Sequence, residues 1–306
     1  MKRLLLVIAL ILFTACGELQ AGGPADLTGT EGLKLTLGSY QTEVFIGQSA
    51  SIPVTIENKG LTAVDGGILY ISGYDPRYMQ FRTTRFDDIN LAGRGPFVPV
   101  GERVTKIFTT TSVKLPDAKQ KVETLQITAC YKYRTEATPI VCINPSARLG
   151  DQAIKSGCDF QTAQLTASQG APLAITKVET EYFSDQTEVE FRIYIDDVLG
   201  SGTAIATESF AKFCGESQTV TSNELNAVGI EAYLSGERIP CFTIEHEEPV
   251  DRVILTKTGP DVICGATIDP TKPGFTTPMS IHLSYGYFEG KVLSVAINNP
   301  SFVSSR

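Results

Sequence analysis

Cysteine is the residue type in this 306-residue chain whose number and spacing point most directly to chemistry. One cysteine lies near the N-terminus, and the even set of six that follows is typical of disulfides in an exported protein. We expect Cys241 to pair with Cys264, because their flanking segments are predicted to be neighbouring strands. Cys142 is expected to pair with either Cys130 or Cys158. The disulfide candidates are Cys130, Cys142, Cys158, Cys214, Cys241 and Cys264.

The sequence favours disulfides over a metal site made of cysteine and histidine. The chain has no Cys-x-x-Cys motif and only two histidines, His246 and His282. His246 lies in the acidic sequence IEHEEP, where an imidazole and carboxylates could hold a cation, but an acidic solvated loop explains the same residues. His282 alternates with apolar neighbours, which places it on the solvated face of a strand. We predict no metal and no cofactor.

Two pairs of adjacent carboxylates, Asp87-Asp88 and Asp196-Asp197, come nearest to an acid–base constellation. Adjacent residues of an extended chain point to opposite sides, so these acids are predicted to lie in turns. The sequence also lacks the nucleophile elbow G-x-S-x-G, the phosphate loop and the zincin motif. We predict no catalytic residue and no small-molecule substrate. A hydrolase with an unrecognised site is the alternative.

A cluster of arginine and aromatic residues lies in the long connection from Gly73 to Arg103, which also contains Arg94 and Phe97. Tyrosine and arginine dominate the energetics of protein interfaces. Two interpretations remain open: the connection recognises a protein partner, or it packs across the sandwich or against the second domain with its arginines paired to neighbouring acids. The candidate partner-binding residues are Tyr74, Arg77, Tyr78, Arg82, Arg85 and Phe86.

The N-terminus has the pattern of an export signal. Two basic residues precede an uninterrupted apolar run, Leu4–Phe13, which rises only about 15 Å as a helix and is too short to span a bilayer. The tetrapeptide FTAC at residues 13–16 resembles the lipobox of bacterial and archaeal lipoproteins, with phenylalanine where that family prefers Leu, Val or Ile. The resemblance implies that Cys16 is lipidated. Simple cleavage near Ala15 or Ala21 is the alternative.

Charge and composition exclude other classes of function. Loss of residues 1–16 leaves 24 Lys and Arg against 34 Asp and Glu, a formal charge of −10, and no basic run interrupts this acidity. Such a surface repels nucleic acid. The chain contains no tryptophan, which is the usual stacking platform for sugar rings, so carbohydrate binding is also disfavoured.

Period-two alternation of apolar and polar residues begins at Leu33 and recurs almost to the C-terminus, which predicts an all-β protein. The segments ITACYKY at 127–133 and IHLSYGY at 281–287 carry Ile, Tyr and Tyr at the same offsets, and each is predicted to open a hairpin. Two copies of one hairpin predict two tandem immunoglobulin-like β-sandwich domains. The expected divisions are a lipoprotein-type signal peptide at 1–16, a flexible stalk at 17–32, and domains at 33–168 and 169–306.

Two stretches carry a resemblance to known families. The sequence VFIGQSASIPVTIENKGLTAVDGGILYISGYDP, at residues 44–76, resembles the Ig-like modules of prokaryotic surface proteins described as CARDB or NEW3 type. The run ITACYKYRTEATPIVCINP, followed by Gly-Ala-Pro at 170–172, is similar to secreted, lipoprotein-like archaeal surface proteins. These resemblances imply Ig-like β-sandwich domains at a cell surface and supply no catalytic residue.

The sequence therefore predicts a non-enzymatic envelope protein, exported and held by a lipid anchor on the outer face of the cytoplasmic membrane or at the cell surface. Its role would be structural, adhesive or partner-binding, with a protein partner at the surface. An accessory subunit of a membrane secretion or pilus-type complex is the alternative, in which an edge strand of the sandwich receives a strand of the partner.

Overall fold

The computed structural model describes residues 28–113, 115, 119–145, 158, 161–182, 187–214, 221–243, 248–256 and 259–302. These residues form predominantly antiparallel β-sheets and one short α-helix, α1 (Phe210–Phe213), so the prediction of an all-β sandwich is confirmed. The strands are β1 (Leu33–Leu37), β2 (Glu43–Phe45), β3 (Ser51–Asn58), β4 (Val64–Ser72), β5 (Met79–Phe81), β6 (Arg85–Leu91), β7 (Arg103–Val113), β8 (Gln120–Ala137), β9 (Ile140–Ile143), β10 (Thr162–Gln164), β11 (Leu173–Tyr182), β12 (Glu188–Asp197), β13 (Gly202–Ile205), β14 (Ala227–Leu234), β15 (Glu237–Ile239), β16 (Cys241–Phe242), β17 (Arg252–Ile254), β18 (Val262–Thr267) and β19 (Phe275–Asn298).

The alternation seen in the sequence becomes alternation of burial along the strands. In β3, Ile52, Val54 and Ile56 are buried on one face while the residues between them are partly exposed. In β12, Phe191 and Ile193 are buried in the same way. Because successive side chains of a strand point to opposite faces, each such strand contributes one apolar face to a core between two sheets.

Three sheets build the molecule. A four-stranded sheet has the order β1-β3-β7-β5, and a five-stranded sheet has the order β10-β11-β12-β18-β16. The third is a ten-stranded sheet whose main path is β15-β14-β19-β8-β4-β6, with β2, β9 and β13 paired to β19 and β17 paired to β14. Apolar residues of all three sheets belong to one hydrophobic core.

The ten-stranded sheet is organised around the pairing of β8 with β19. The two strands are antiparallel over 18 residue pairs, from Ile281↔Ala137 to Asn298↔Gln120. β9 continues the same register along the first residues of β19. The expected hairpins at 127–133 and 281–287 are therefore wrong: the two segments pair with each other, and β19 runs without a turn through the Glu-Gly-Lys sequence that follows. The physical reason is that these residues have partners across the ladder, where Gly290 faces Thr128 and Lys291 faces Ile127.

Strand order repeats from one half of the chain to the other. Moving outward from the centre, β8 is followed by β4 and β6, and β19 is followed by β14 and β15. The orders β11-β12-β18-β16 and β15-β14-β19 match the two sheets of an immunoglobulin-like sandwich, strands ABED and C′CF. The place beside β19 that strand G would fill is taken by β8, and β19 takes the corresponding place beside β8. The division into domains at residue 168 stays a prediction, because one sheet runs through both halves.

All six cysteines downstream of residue 16 are paired and buried. Cys241 is bonded to Cys264 across β16 and β18, and the open choice for Cys142 falls to Cys158. The sequence did not indicate the third pair, Cys130–Cys214, which joins β8 to the end of α1 and so links the two halves.

The segment containing α1 covers the centre of the outer face of the ten-stranded sheet. Phe210 and Phe213 pack there with Ile68, Cys130 and Phe288 in a small apolar cluster separate from the main core. The rings of Phe213 and Phe288 have their centroids 4.3 Å apart. A segment of the second half thus shields a strand pair to which both halves contribute.

Replacing both Cys130 and Cys214 by alanine should lower the free energy of unfolding by about 4 to 5 kcal/mol. Of the three disulfides, this one closes the longest loop, so its loss frees the most conformational entropy in the unfolded chain. The matched control replaces Cys241 and Cys264, whose shorter loop predicts a loss of about 3 to 4 kcal/mol. Chemical denaturation of the three proteins under non-reducing conditions measures both losses. A Cys130/Cys214 variant as stable as the parent would contradict the proposed linkage of the halves.

Candidate functional site

The predicted partner-binding residues do not lie on one loop. The connection from Gly73 to Arg103 contains β5 and β6, followed by a protruding loop. β5 is the last strand of the four-stranded sheet, and β6 is the last strand of the ten-stranded sheet. The candidate residues are therefore distributed over the edges of two different sheets.

Arg77 and Tyr78 are brought together at the start of this segment, with the Arg77 guanidinium carbon 5.5 Å from the Tyr78 ring centroid, whereas the ring of Tyr74 packs on Phe81. The Arg77 guanidinium donates to both carboxylate oxygens of Asp75, with Nη2 at 2.6 Å from Oδ2, and these bonds lower the pKa of Asp75 to about 2. The ring of Tyr78 lies beneath Lys121, with Nζ 3.5 Å from the ring centroid. The group has the composition of an interface, and its charges are already paired within the chain.

Arg85 and Phe86 point to opposite faces of β6. The Arg85 guanidinium donates to the carbonyl oxygen of Cys214 at 2.5 Å and to Asp87 at 2.7 Å, so it holds the C-terminal end of α1. Phe86 packs on Phe108, with ring centroids 5.1 Å apart. Packing within the protein accounts for these two residues. Arg82 is exposed, and partner binding by the group around Tyr78 stays a prediction.

The loop at residues 93–101, which we call the Phe97 loop, presents the most exposed large apolar side chain of the described residues. Phe97 is 98% exposed and Val100 is 68% exposed. Gly95 and Val98 exchange backbone hydrogen bonds, each of 3.1 Å, and Gly101 N–H donates to the Val98 carbonyl. Gly101 has a φ of +76° and lies against the Asn58 backbone, where a side chain would not fit. The sequence analysis placed Phe97 in the connection from Gly73 to Arg103 but did not include it among the candidate binding residues. The apolar sequence GPFVPVG at residues 95–101 was the signal that could have indicated it.

Four tyrosines form a buried seam where the halves meet. Tyr131 faces Tyr287, and Tyr133 faces Tyr285, across the ladder of β8 and β19. Their rings contact one another, and burial raises the pKa of each hydroxyl. The Tyr285 hydroxyl lies 2.8 Å from the hydroxyl of Thr135. These are packing roles, and the hydroxyls are held as neutral donors or acceptors.

Glu289 lies at the same seam, and its pKa is raised far above the ordinary value of a carboxylic acid. Its pKa rises from an ordinary 4.5 to about 7, chiefly because it is buried, while Lys291 opposes the shift and Glu31 adds to it. One carboxylate oxygen has no hydrogen-bond partner among the described residues. Asp261, also buried, has its pKa raised by burial but accepts bonds from the backbone of Ile195 and Thr256, which makes it a structural brace between strands.

Other candidates from the sequence are placed as follows. His282 lies on the outer face of β19, with Nδ1 2.6 Å from Nη2 of Arg134. Asp87 and Asp88 lie within β6, and Asp196 and Asp197 end β12, so neither pair lies in a turn as the sequence predicted. His246 and Cys16 lie outside the described residues.

Within the described ranges, no group of three His, Cys, Asp or Glu side chains could hold one metal ion. In the same part of the chain, no helix has the length and apolar character needed to cross a membrane.

No protein-family model and no curated protein matches the chain. Among solved structures, the chain is similar to the type II cohesin dyad from the adaptor ScaA scaffoldin of Acetivibrio cellulolyticus, with 8% sequence identity, a TM-score of 0.19, and coverage of 86% of this chain and 88% of that one.

The raised pKa of Glu289 predicts that stability depends on pH. The folded protein retains a proton that the unfolded chain loses above pH 4.5, so the free energy of unfolding should fall as pH rises from 4.5 to about 7 and level off above that. Glu289→Gln should remove this fall, raising stability at pH 8 by roughly 3 kcal/mol with little change at pH 4. Denaturation at both pH values checks this against Glu188→Gln, an exposed control on β12. Equal effects of the two substitutions would contradict burial of a titrating Glu289.

Proposed function

We propose that this protein is a non-enzymatic, membrane-anchored envelope protein that presents a rigid β-sandwich to a protein partner outside the cell. Lipidation at Cys16 holds it on the outer face of the cytoplasmic membrane or at the cell surface. The observation that carries the proposal is the framework of three buried disulfides, because structural disulfides persist in oxidising compartments and are rare in the cytosol. The apolar run and FTAC sequence at the N-terminus supply the export and the anchor.

Rigidity supports a presenting role. The halves of the chain share the ladder of β8 and β19, the tyrosine seam and the Cys130–Cys214 disulfide. Domains joined only by a flexible linker would move independently. Here, relative motion of the halves would break backbone hydrogen bonds in the middle of a sheet, so surfaces at the two ends keep a fixed spacing.

The segment from Tyr74 to Arg82, which carries Arg77 and Tyr78 between them, is the surface that best fits a protein partner. Arg77 is 78% exposed although it is paired with Asp75, and Arg82 is exposed. Tyrosine and arginine residues gain most from burial in an interface, and an arginine already oriented by a carboxylate loses less freedom on binding. Kinship with CARDB or NEW3 modules stays a prediction, and it is consistent with this role.

A second candidate is an accessory subunit of a membrane secretion or pilus-type complex. It is favoured by the position of β6 at the end of the ten-stranded sheet, where a partner strand could add to the sheet. Mild crosslinking separates the candidates, since one stoichiometric membrane protein is expected only for the subunit.

The anchor and the compartment are tested by mass spectrometry of the protein isolated from its own membranes. We expect an N-terminal peptide beginning at a lipid-modified Cys16 and, without reduction, the linked peptides Cys130–Cys214, Cys142–Cys158 and Cys241–Cys264. Cys16→Ala is the control and should move the protein out of the membrane fraction. An intact chain recovered from the cytosol with free thiols would refute the proposed function.

The partner surface is tested by Arg77→Ala combined with Arg82→Ala. We expect this variant to keep its stability, because both side chains are exposed, and to lose the crosslinked partner. The matched control combines Arg134→Ala with Arg238→Ala, two arginines that are also exposed and are paired with Glu136 and Glu231. Retention of the partner by the first variant would move the interface elsewhere on the molecule.

A further inference from the structure

We infer that the Phe97 loop is a second, non-covalent contact with the membrane, in which Phe97 enters the interfacial region of the lipid bilayer. This inference rests on the proposed function, because it requires the lipid anchor to hold the protein near the surface. It assigns to residues 93–101 a ligand of defined chemistry, a lipid surface.

Exposure sets Phe97 apart from the other apolar side chains. The other large apolar residues at the surface are between 36% and 68% exposed, and most lie on strands, whereas Phe97 is 98% exposed at the tip of a loop. Pro96 and Pro99 beside it are exposed as well. A fully hydrated phenylalanine forgoes the roughly 1.5 to 3 kcal/mol that burial of such a side chain contributes. Entry into lipid would recover that free energy.

Four of the six residues from Gly95 to Val100 present no free backbone N–H to an apolar environment. Lipid penalises every unsatisfied N–H group. Pro96 and Pro99 carry no N–H, and the N–H groups of Gly95 and Val98 are bonded across the turn. The same bonds fix the loop before it meets the membrane, so little conformational entropy is lost on insertion.

The loop also lies beside the point where the tether reaches the folded protein. The Arg94 guanidinium donates to the carbonyl oxygen of Thr28, and the Arg94 N–H donates to Gly60 at 2.7 Å. Twelve peptide steps separate Cys16 from Thr28, and they span at most about 40 Å even when fully extended. A lipid at Cys16 therefore holds the Phe97 loop within reach of the bilayer.

Charge does not oppose this approach. The loop contains a single charged residue, Arg94, while the mature chain carries a formal charge of −10. The charges nearest along the chain are those of Glu102, whose carboxylate accepts the Ala92 N–H, and of Arg103. An acidic protein is repelled by anionic headgroups, and this loop is a part of its surface where that repulsion is absent.

The absence of tryptophan makes the test direct, because Phe97→Trp creates the only tryptophan in the chain. The full-length, lipid-modified protein is reconstituted in vesicles of phosphatidylcholine and phosphatidylglycerol in a ratio of about 7 to 3, a mixture chosen to include the anionic headgroups discussed above. We expect the emission of the Phe97→Trp probe to shift to the blue relative to detergent-free solution and to be quenched by lipids brominated on their acyl chains. The matched control is Phe45→Trp, which is 41% exposed and lies near the far end of β3 from the Phe97 loop, and its emission should not change.

The outcomes distinguish failure of the membrane contact from failure of the proposed function. If the N-terminal peptide carries lipid but the Phe97→Trp probe stays unshifted and unquenched, the membrane contact is overturned and the anchor stands. A shift that requires membrane extract and is absent with pure lipid vesicles also overturns the inference, since the loop would then contact a protein. An unmodified Cys16 removes the anchor that the inference requires, and it therefore overturns the proposed function and the inference together.

Discussion

Backbone hydrogen bonding between β8 and β19 holds the molecule together, because these strands come from opposite halves of the chain and form the centre of its largest sheet. Each contributes a row of buried side chains to the common core, from Leu125 to Ala137 on β8 and from Ile281 to Ile297 on β19. A register shift of one residue would turn the buried row of one of the two strands toward solvent. The alternation of burial along two long strands therefore fixes how the halves are arranged.

The tyrosine seam adds apolar packing between the two halves, and it also buries an ionisable group. Four large rings are packed where the halves meet, and three of the hydroxyls, those of Tyr133, Tyr285 and Tyr287, bond to protein partners. Glu289 is buried beside them and is the group that destabilises the seam once it ionises. A contact of this kind, dry and largely apolar, favours a permanent arrangement over the looser contacts of domains that move.

The disulfides stabilise the fold outside the main core, and the surface loops carry the candidate binding sites. Cys130–Cys214 and the bond from Arg85 to the Cys214 carbonyl both fix the α1 segment over the outer face of the central sheet. With the core and that face so secured, the ends of the sheets remain for interactions. The Tyr78 group and the Phe97 loop belong to the same connection of the sequence, yet they differ in chemistry: one is aromatic and charged, the other apolar with few free backbone donors.

The all-β class and most strand positions followed from the sequence, because burial of one strand face is a local property that period-two alternation records directly. So did the pairing of Cys241 with Cys264, whose strands are close in the chain. The pairing of β8 with β19 did not: the matching tyrosines indicated a repeat, but whether two similar segments form separate hairpins or one shared ladder depends on contacts between residues about 150 positions apart. The same holds for Cys130–Cys214 and for Arg85, whose partner lies 129 residues away. The exposure of Phe97 is likewise decided by tertiary structure, since the composition of a loop cannot say which of its apolar residues the rest of the fold covers.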